Sequence, residues 1–187
     1  MKLTKLEKWP VNRMAKRNIK AVEQLFSQVD LGNVEKVLEV GCGIGVVSSC
    51  LAEEYGWDVA GIDLDPDQIK RAKNSNIENK GLKFLEADAT RLPFKNDMVL
   101  SFDALHPIPN WDKALEEISR VLKSEGFYVL NDLAFPSLKI FRGLLKKYMS
   151  IFAAEDITRC LERNNFVIVY GKKKIGGRFS VASQRSK

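Results

Sequence analysis

The residues best suited to chemistry stand where apolar runs stop. Glu39-Val40-Gly41-Cys42-Gly43-Ile44-Gly45 closes one run with three glycines in five residues. Glycine lets the backbone turn tightly and approach a ligand closely, and a helix opening just beyond such a turn offers unpaired N–H groups to a polar or anionic group. The acid Glu39, two residues ahead of the first glycine, suits a cationic ligand better than a pyrophosphate. The dinucleotide pattern G-x-G-x-x-G wants its third glycine where this chain has Val46, so a nicotinamide cofactor is disfavoured. A tight turn that holds no ligand is the plain alternative. Asp63 closes the next apolar run, 24 residues after Glu39, where a carboxylate can accept both hydroxyls of a ribose. Its neighbour Asp65 precedes Pro66 and suits a helix cap. Removing Asp63 is therefore expected to weaken ligand binding at little cost in stability, and removing Asp65 to do the reverse. Asp88, in Leu85-Glu86-Ala87-Asp88-Ala89-Thr90, can accept an adenine amino group, or simply cap residues 90–92. His106 is the single histidine. It is a candidate general base or a packing residue in a loop, with Asp103 and Asp132 as alternative bases at strand ends.

The elements that position these residues follow from periodicity. Val11, Met14, Ala15, Val22, Leu25, Phe26 and Val29 recur at helical spacing, which predicts an amphipathic helix over 11–29. Strands are predicted at Lys36–Val40, Asp58–Ile62, Leu82–Leu85, Met98–Ser101 and Phe127–Leu130. Helices are predicted after the glycine turn, from Pro66, over Trp111–Leu122 and over 155–164. Phe166–Tyr170 and Phe179–Ala182 flank Gly176-Gly177, a hairpin signal. Strands alternating with helices make parallel βαβ units, and the closing hairpin forces one strand to run backwards. The predicted fold is α/β: a doubly wound seven-stranded, mostly parallel sheet with one antiparallel strand near its edge, in a single domain. Ligands of such sheets lie beyond the carboxyl ends of the strands at the switch point.

Composition narrows the classes further. Three cysteines without a C-x-x-C pair, and one histidine, argue against a disulfide framework and against a metal site. Cys50 and Cys160 read as small core residues on helices. No apolar run approaches the roughly 18 residues that span a bilayer, and Met1–Lys8 lacks the apolar stretch of a signal peptide, so a cytoplasmic location is expected. Residues 1–20 and residues 171–187 each carry a charge of +6, and the residues between carry −6. Two basic ends on a slightly acidic body are either solvated termini or a surface for an anionic substrate or nucleic acid.

Taken in order, three segments resemble class I (Rossmann-like) S-adenosylmethionine-dependent methyltransferases, in the small-molecule, type 11-like branch. Val37–Ala52 (VLEVGCGIGVVSSCLA) is similar to the family's first motif, Val59–Lys73 (VAGIDLDPDQIKRAK) to its acidic second motif and Lys83–Phe94 (KFLEADATRLPF) to its third. Val121–Asp132 (VLKSEGFYVLND) looks like the fifth-strand segment, with Lys123-Ser124-Glu125-Gly126 where a Pro-Gly-Gly turn is usual. The resemblance covers about residues 36–132 and the closing hairpin. It implies S-adenosyl-L-methionine as cofactor. Glu39 and the turn residues Gly41, Cys42, Gly43 and Gly45 would hold its methionine part, Asp63 its ribose and Asp88 its adenine amino group. Leu64 and Ala89 would sandwich the adenine, and Ser101 and Phe102 would border the methionyl end. Many small-molecule relatives carry Leu-His-His after the fourth strand; here the run reads Leu105-His106-Pro107, which leaves His106 and Asp103 as catalytic candidates. The Asn-Pro-Pro-Tyr motif of amino-methylating nucleic-acid enzymes is absent. A small-molecule acceptor is the expectation. Methylation of RNA or protein, and a non-catalytic cofactor-binding module, are the alternatives. Residues 136–152, with Phe141, Leu144, Leu145, Tyr148, Met149 and Phe152 at helical spacing, would form a lid or an ordinary packing helix. Trp9 and Pro10 could close the other side.

Overall fold

The computed structural model describes residues 13–76, 81–92, 95–133, 153–174 and 177–187. The expected lid segment 136–152 and the Trp9-Pro10 pair lie outside them. Among the described residues the elements run α1 (Arg13–Phe26), β1 (Lys36–Val40), α2 (Val46–Tyr55), β2 (Asp58–Asp63), α3 (Pro66–Ser75), β3 (Leu82–Glu86), β4 (Asn96–Phe102), α4 (Trp111–Val121), β5 (Leu122–Leu133), α5 (Ala154–Arg163), β6 (Phe166–Lys174) and β7 (Arg178–Arg185). Their strands form one sheet in the order β3-β2-β1-β4-β5-β7-β6. β1 to β5 are parallel, and β7 is antiparallel to both β5 and β6. This is the doubly wound sheet that the sequence predicts, with its reversed strand one place in from the edge. No helix among the described residues is long and apolar enough to cross a membrane.

The central strands are buried on both faces because their side chains alternate between two cores. Leu38, Val99, Tyr128 and Leu130 pack with Leu115 and Ile118 of α4 and with Ile157 and Leu161 of α5. Their strand neighbours Val37, Met98, Leu100 and Val129 pack with Ile19, Val22 and Leu25 of α1 and with Val47, Cys50 and Leu51 of α2. Cys50 is thus core, as expected, while Cys160 is half-buried. α3 starts as its sequence requires: Pro66 takes the first helical position and the Asp65 side chain accepts from the N–H groups of Asp67 and Gln68.

Several boundaries differ from expectation: α1 ends at Phe26 rather than 29, β6 runs on to Lys174, and β7 spans Arg178–Arg185. β4 extends over seven residues. β5 begins at Leu122, directly where α4 stops, and runs twelve residues to Leu133. The Lys123–Gly126 stretch, read as a turn, is instead an irregularity within the strand, exposed over Lys123, Ser124 and Glu125 and buried at Gly126. Asn96 pairs with Leu122, the register shifts, and pairing resumes at Met98 with Phe127. Glu125 takes φ 62° at that point, and Gly126 lies so close to the Asp97 carbonyl that a Cβ would stand 2.9 Å from it.

Candidate functional site

Two cavities open at the carboxyl ends of the parallel strands and meet at Gly41, Asp63 and Asp103, which line both. The first, of about 410 Å³, is bounded by Asp63 and Leu64 after β2, by Ala87–Thr90 after β3 and by Pro107–Asn110 in the loop after β4. The second, of about 500 Å³, lies between the glycine turn, the start of α3 and the inner side of α1, with Glu39 and Phe102 lining it. The seam between them falls where β1 and β4 are neighbours with their following helices on opposite faces, which is the switch point of this topology.

Each glycine of the turn has its own reason. Gly41, Gly43 and Gly45 all have positive φ, a region that other residues enter at a cost. A Cβ on Gly41 would meet the Ala104 Cβ at 2.3 Å, and one on Gly45 would meet the Phe84 ring at 2.3 Å. Both are therefore demanded by packing. Gly43 has open space around its missing side chain, with the Gln68 side-chain oxygen nearest at 3.9 Å. Its N–H donates to Asp63 Oδ2 at 2.8 Å, while Asp63 Oδ1 accepts from the Asp65 N–H at 3.0 Å. Asp63 thus ties the turn to the end of β2 besides facing the cavities. Cys42 turns its side chain under Gly61, beside Ile69, Ala72 and Phe84; burial and the nearby Glu39 and Asp63 push its thiol far above the usual range.

Glu39 is the most unusual group. It is 3% exposed, and the Ser48 hydroxyl donates to its Oε2. No cation pairs with it among the described residues. Burial pushes its carboxyl up to about 8, opposed by the Ser48 hydrogen bonds and reinforced by Asp63. Asp88 is exposed and accepts from the N–H and hydroxyl of Thr90 at 2.8 and 2.9 Å, so it caps its own turn while lining the first cavity. Ala89 is buried and Leu64 is 69% exposed at that cavity.

Most of the expected cofactor residues are thus gathered. Gly45 and Ser101 are not. Gly45 caps α2 and packs away from both cavities. The strand pleat turns Ser101 into the opposite core, where its hydroxyl meets the Tyr128 hydroxyl at 2.8 Å. The two catalytic candidates also separate. Asp103 sits at φ 55° with one carboxylate oxygen on Arg17 of α1 and the other on Arg178 of β7. As placed it is a tie between distant elements rather than a free proton acceptor. His106 lines neither cavity but precedes Pro107–Asn110, which do. Its Nδ1 lies 2.6 Å from Asp132 Oδ1. Asp132 has no solvent exposure and accepts from the N–H groups of Leu105, His106 and Leu133 at 2.7, 3.3 and 2.6 Å. Facing a carboxylate that accepts from every other neighbour, Nδ1 donates, and in the neutral ring Nε2 is then the acceptor nitrogen. Asp132 is therefore the orienting group of His106 rather than a base in its own right.

The sequence reading missed Asn18, Arg17 and Arg178, and the role of Ser48. A signal existed for Asn18: it interrupts the apolar face formed by Met14, Val22 and Leu25. No group of three or more potential ligands that could hold a metal ion occurs among the described residues.

The donor set fits S-adenosylmethionine. A buried acid without a cationic partner suits its positive methionyl end, the Asp63 carboxylate suits a ribose diol, and the apolar cavity edged by Asp88 suits an adenine. Residues 38–130 match the family described as "Methyltransferase domain". A 2-methyl-6-phytyl-1,4-hydroquinone methyltransferase of Synechocystis sp. is 39% identical over 99 residues, covering 51% of this chain and 31% of the relative. A fatty-acid O-methyltransferase of Mycolicibacterium smegmatis is 35% identical over 130 residues, covering 66% of this chain and 47% of the relative. The chain thus spans about half or less of the length of these relatives. Among solved structures, geranyl diphosphate C-methyltransferase from Streptomyces coelicolor, in complex with magnesium, geranyl diphosphate and S-adenosyl-L-homocysteine, superposes with a TM-score of 0.75 at 16% identity over 90% of this chain and 79% of that one.

Proposed function

From the chain's membership, through residues 38–130, of the methyltransferase-domain family, we propose that it transfers a methyl group from S-adenosyl-L-methionine to a small-molecule acceptor. The observation that carries this reading is Glu39, buried at the edge of the cleft with no cation beside it among the described residues. A site built so is poised for a cationic ligand. In this reading Glu39 and the Gly41–Gly43 backbone take the methionyl end, Asp63 the ribose hydroxyls, and Leu64, Asp88 and Ala89 the adenine. The bound cofactor supplies an electrophilic methyl carbon on a sulfonium, taken by the acceptor's nucleophile as the carbon–sulfur bond breaks. The protein's part is largely to position the two reactants and exclude water. In this reading the neutral His106 ring, oriented by Asp132 through Nδ1, takes at Nε2 the proton that an oxygen or nitrogen nucleophile loses.

The relatives named above act on a hydroquinone and on a fatty acid, which favours an apolar acceptor bearing a hydroxyl or carboxyl group. RNA has only the basic chain ends in its favour. The test has two parts. S-adenosylmethionine and its demethylated product should raise the melting temperature, because a ligand that binds only the folded state stabilises it, while NAD should not. Incubation with quinols, phenols and fatty acids should then release S-adenosylhomocysteine together with a product heavier by one methylene. A preferential shift with NAD would end the reading. His106→Gln should lower turnover at least about tenfold with cofactor affinity unchanged; full activity in that variant would remove His106 from the reaction.

A further inference from the structure

Asn18 is a polar residue where helical periodicity calls for an apolar one. Met14, Asn18, Val22 and Leu25 fall on the same side of α1, and Val22 and Leu25 are core. Asn18 is 7% exposed, yet its side-chain oxygen has no hydrogen-bond partner among the described residues. Buried amides almost always find partners, and one left without carries the cost of its desolvation. Asn18 also lines the same cavity as Glu39, Gly41, Gly43 and Phe102. Among the described residues that cavity therefore gathers a buried acid without a cationic partner and a buried amide oxygen without a donor. An amide accepts from an N–H through one end and donates to an oxygen through the other. The ligand group that satisfies both acceptors is an ammonium, which the cofactor carries on its amino-acid end.

We propose that Asn18 is a binding residue for the amino-acid end of the cofactor, which makes α1 part of the cofactor site. The inference rests on the cofactor reading above, and it places a ligand contact outside the segment 38–130 that carries the family match. It also gives α1 a role besides covering the sheet. Without ligand the amide is held at a cost; with ligand the helix gains a bond to the glycine turn through the bound molecule.

The experiment compares two ligands on wild type, Asn18→Ala and Asn18→Leu. S-adenosylhomocysteine carries the amino-acid end; 5′-methylthioadenosine has the same nucleoside and a thioether but lacks it. Calorimetric titration should show S-adenosylhomocysteine weakened about tenfold in both variants, the scale of losing hydrogen bonds to a charged group, with 5′-methylthioadenosine affinity within about twofold of wild type. Asn18→Leu, which keeps the volume and removes the unpaired amide, should melt no lower than wild type without ligand, so it remains informative if Asn18→Ala folds poorly. In wild type, hydrogen exchange over residues 13–26 should slow with S-adenosylhomocysteine and not with 5′-methylthioadenosine. Unchanged S-adenosylhomocysteine affinity in both variants overturns the assignment. Equal weakening of both ligands also overturns it, because that is the mark of a displaced helix. A wild-type protein that binds neither ligand overturns the cofactor reading itself and this inference with it.

Discussion

Glu39 is asked to do two things that conflict. Folding buries it and raises its carboxyl to about 8, while the unfolded group titrates near 4.5. Between those values the folded chain holds a proton that the unfolded chain has lost, so this group's contribution to stability falls as pH rises through the window and levels off above it. Ser48, through its hydroxyl and N–H, and Asp63 across the turn are the groups that act on it. Glu39→Gln should therefore melt higher than wild type, by a margin that widens from about pH 5 to about pH 8, while its affinity for S-adenosylmethionine drops at least about tenfold. Wild-type affinity should rise with pH across the same window, since a cationic ligand selects the ionised acid. A flat wild-type profile in titration calorimetry would contradict this. For Asp63 the structure adds a structural role to the binding role that the sequence suggests. Its two backbone hydrogen bonds mean that Asp63→Ala should cost a few degrees of melting temperature as well as about a decade of affinity. Asp65→Ala should cost about 1 kcal/mol of stability through the lost cap and leave affinity alone. If Asp63→Ala melts like wild type, those bonds contribute nothing. The acids of the site were legible in the sequence because each closes an apolar run. Asn18 left a signal as a polar residue on an apolar helix face, but Arg178 and the orienting role of Asp132 left none, because only folding brings Arg178 to Asp103 and Asp132 to His106.

At the scale of elements, the joint between α2, α3 and β3 turns on one hydrogen atom. Gly45 has φ 80°, and a Cβ there would stand 2.3 and 2.5 Å from two ring carbons of Phe84 and 3.2 Å from the Ala72 Cβ. Gly56, at the other end of α2, has φ 69° with nothing within 4 Å of the same position. Gly56→Ala should therefore cost only backbone strain, about 1–2 kcal/mol, whereas Gly45→Ala adds a steric overlap worth about 1–3 kcal/mol more. Equal losses in denaturant unfolding would mean that Phe84 moves aside freely. The pair shows why element existence was readable and element ends were not. Period and turn residues mark β1, β2 and α3 within a residue or so. The junction of α4 and β5 carries no such mark: Lys123-Ser124-Glu125-Gly126 has the composition of a turn, and it is cross-strand pairing of Leu122 with Asn96 and of Phe127 with Met98 that draws it into the strand. Ser101 failed for a similar reason, since a one-residue step along a pleated strand exchanges cleft for core.

For the molecule as a whole, the charge is segregated: the two basic ends carry +6 each around a body of −6. Charge alone, without aromatic stacking residues or a recognition motif, gives weak binding that salt erodes steeply. RNA affinity at physiological salt should be weaker than micromolar. Submicromolar binding lost on neutralising Lys172, Lys173 and Lys174 would favour an RNA acceptor over a small one. The tie at Asp103 has a different reach. It joins Arg17 from 86 residues upstream and Arg178 from 75 residues downstream, so it closes two long loops with a single carboxylate. Contacts of that sequence separation are entropically dear until the strands between them have assembled. The cluster should therefore be absent from the folding transition state and present only afterwards. In stopped-flow kinetics Asp103→Asn should leave the refolding limb almost unmoved and accelerate unfolding by the full measure of its destabilisation; a slowed refolding limb would place the knot in the nucleus instead. In the expected case, these three residues set how long the folded chain lasts, not how quickly it forms.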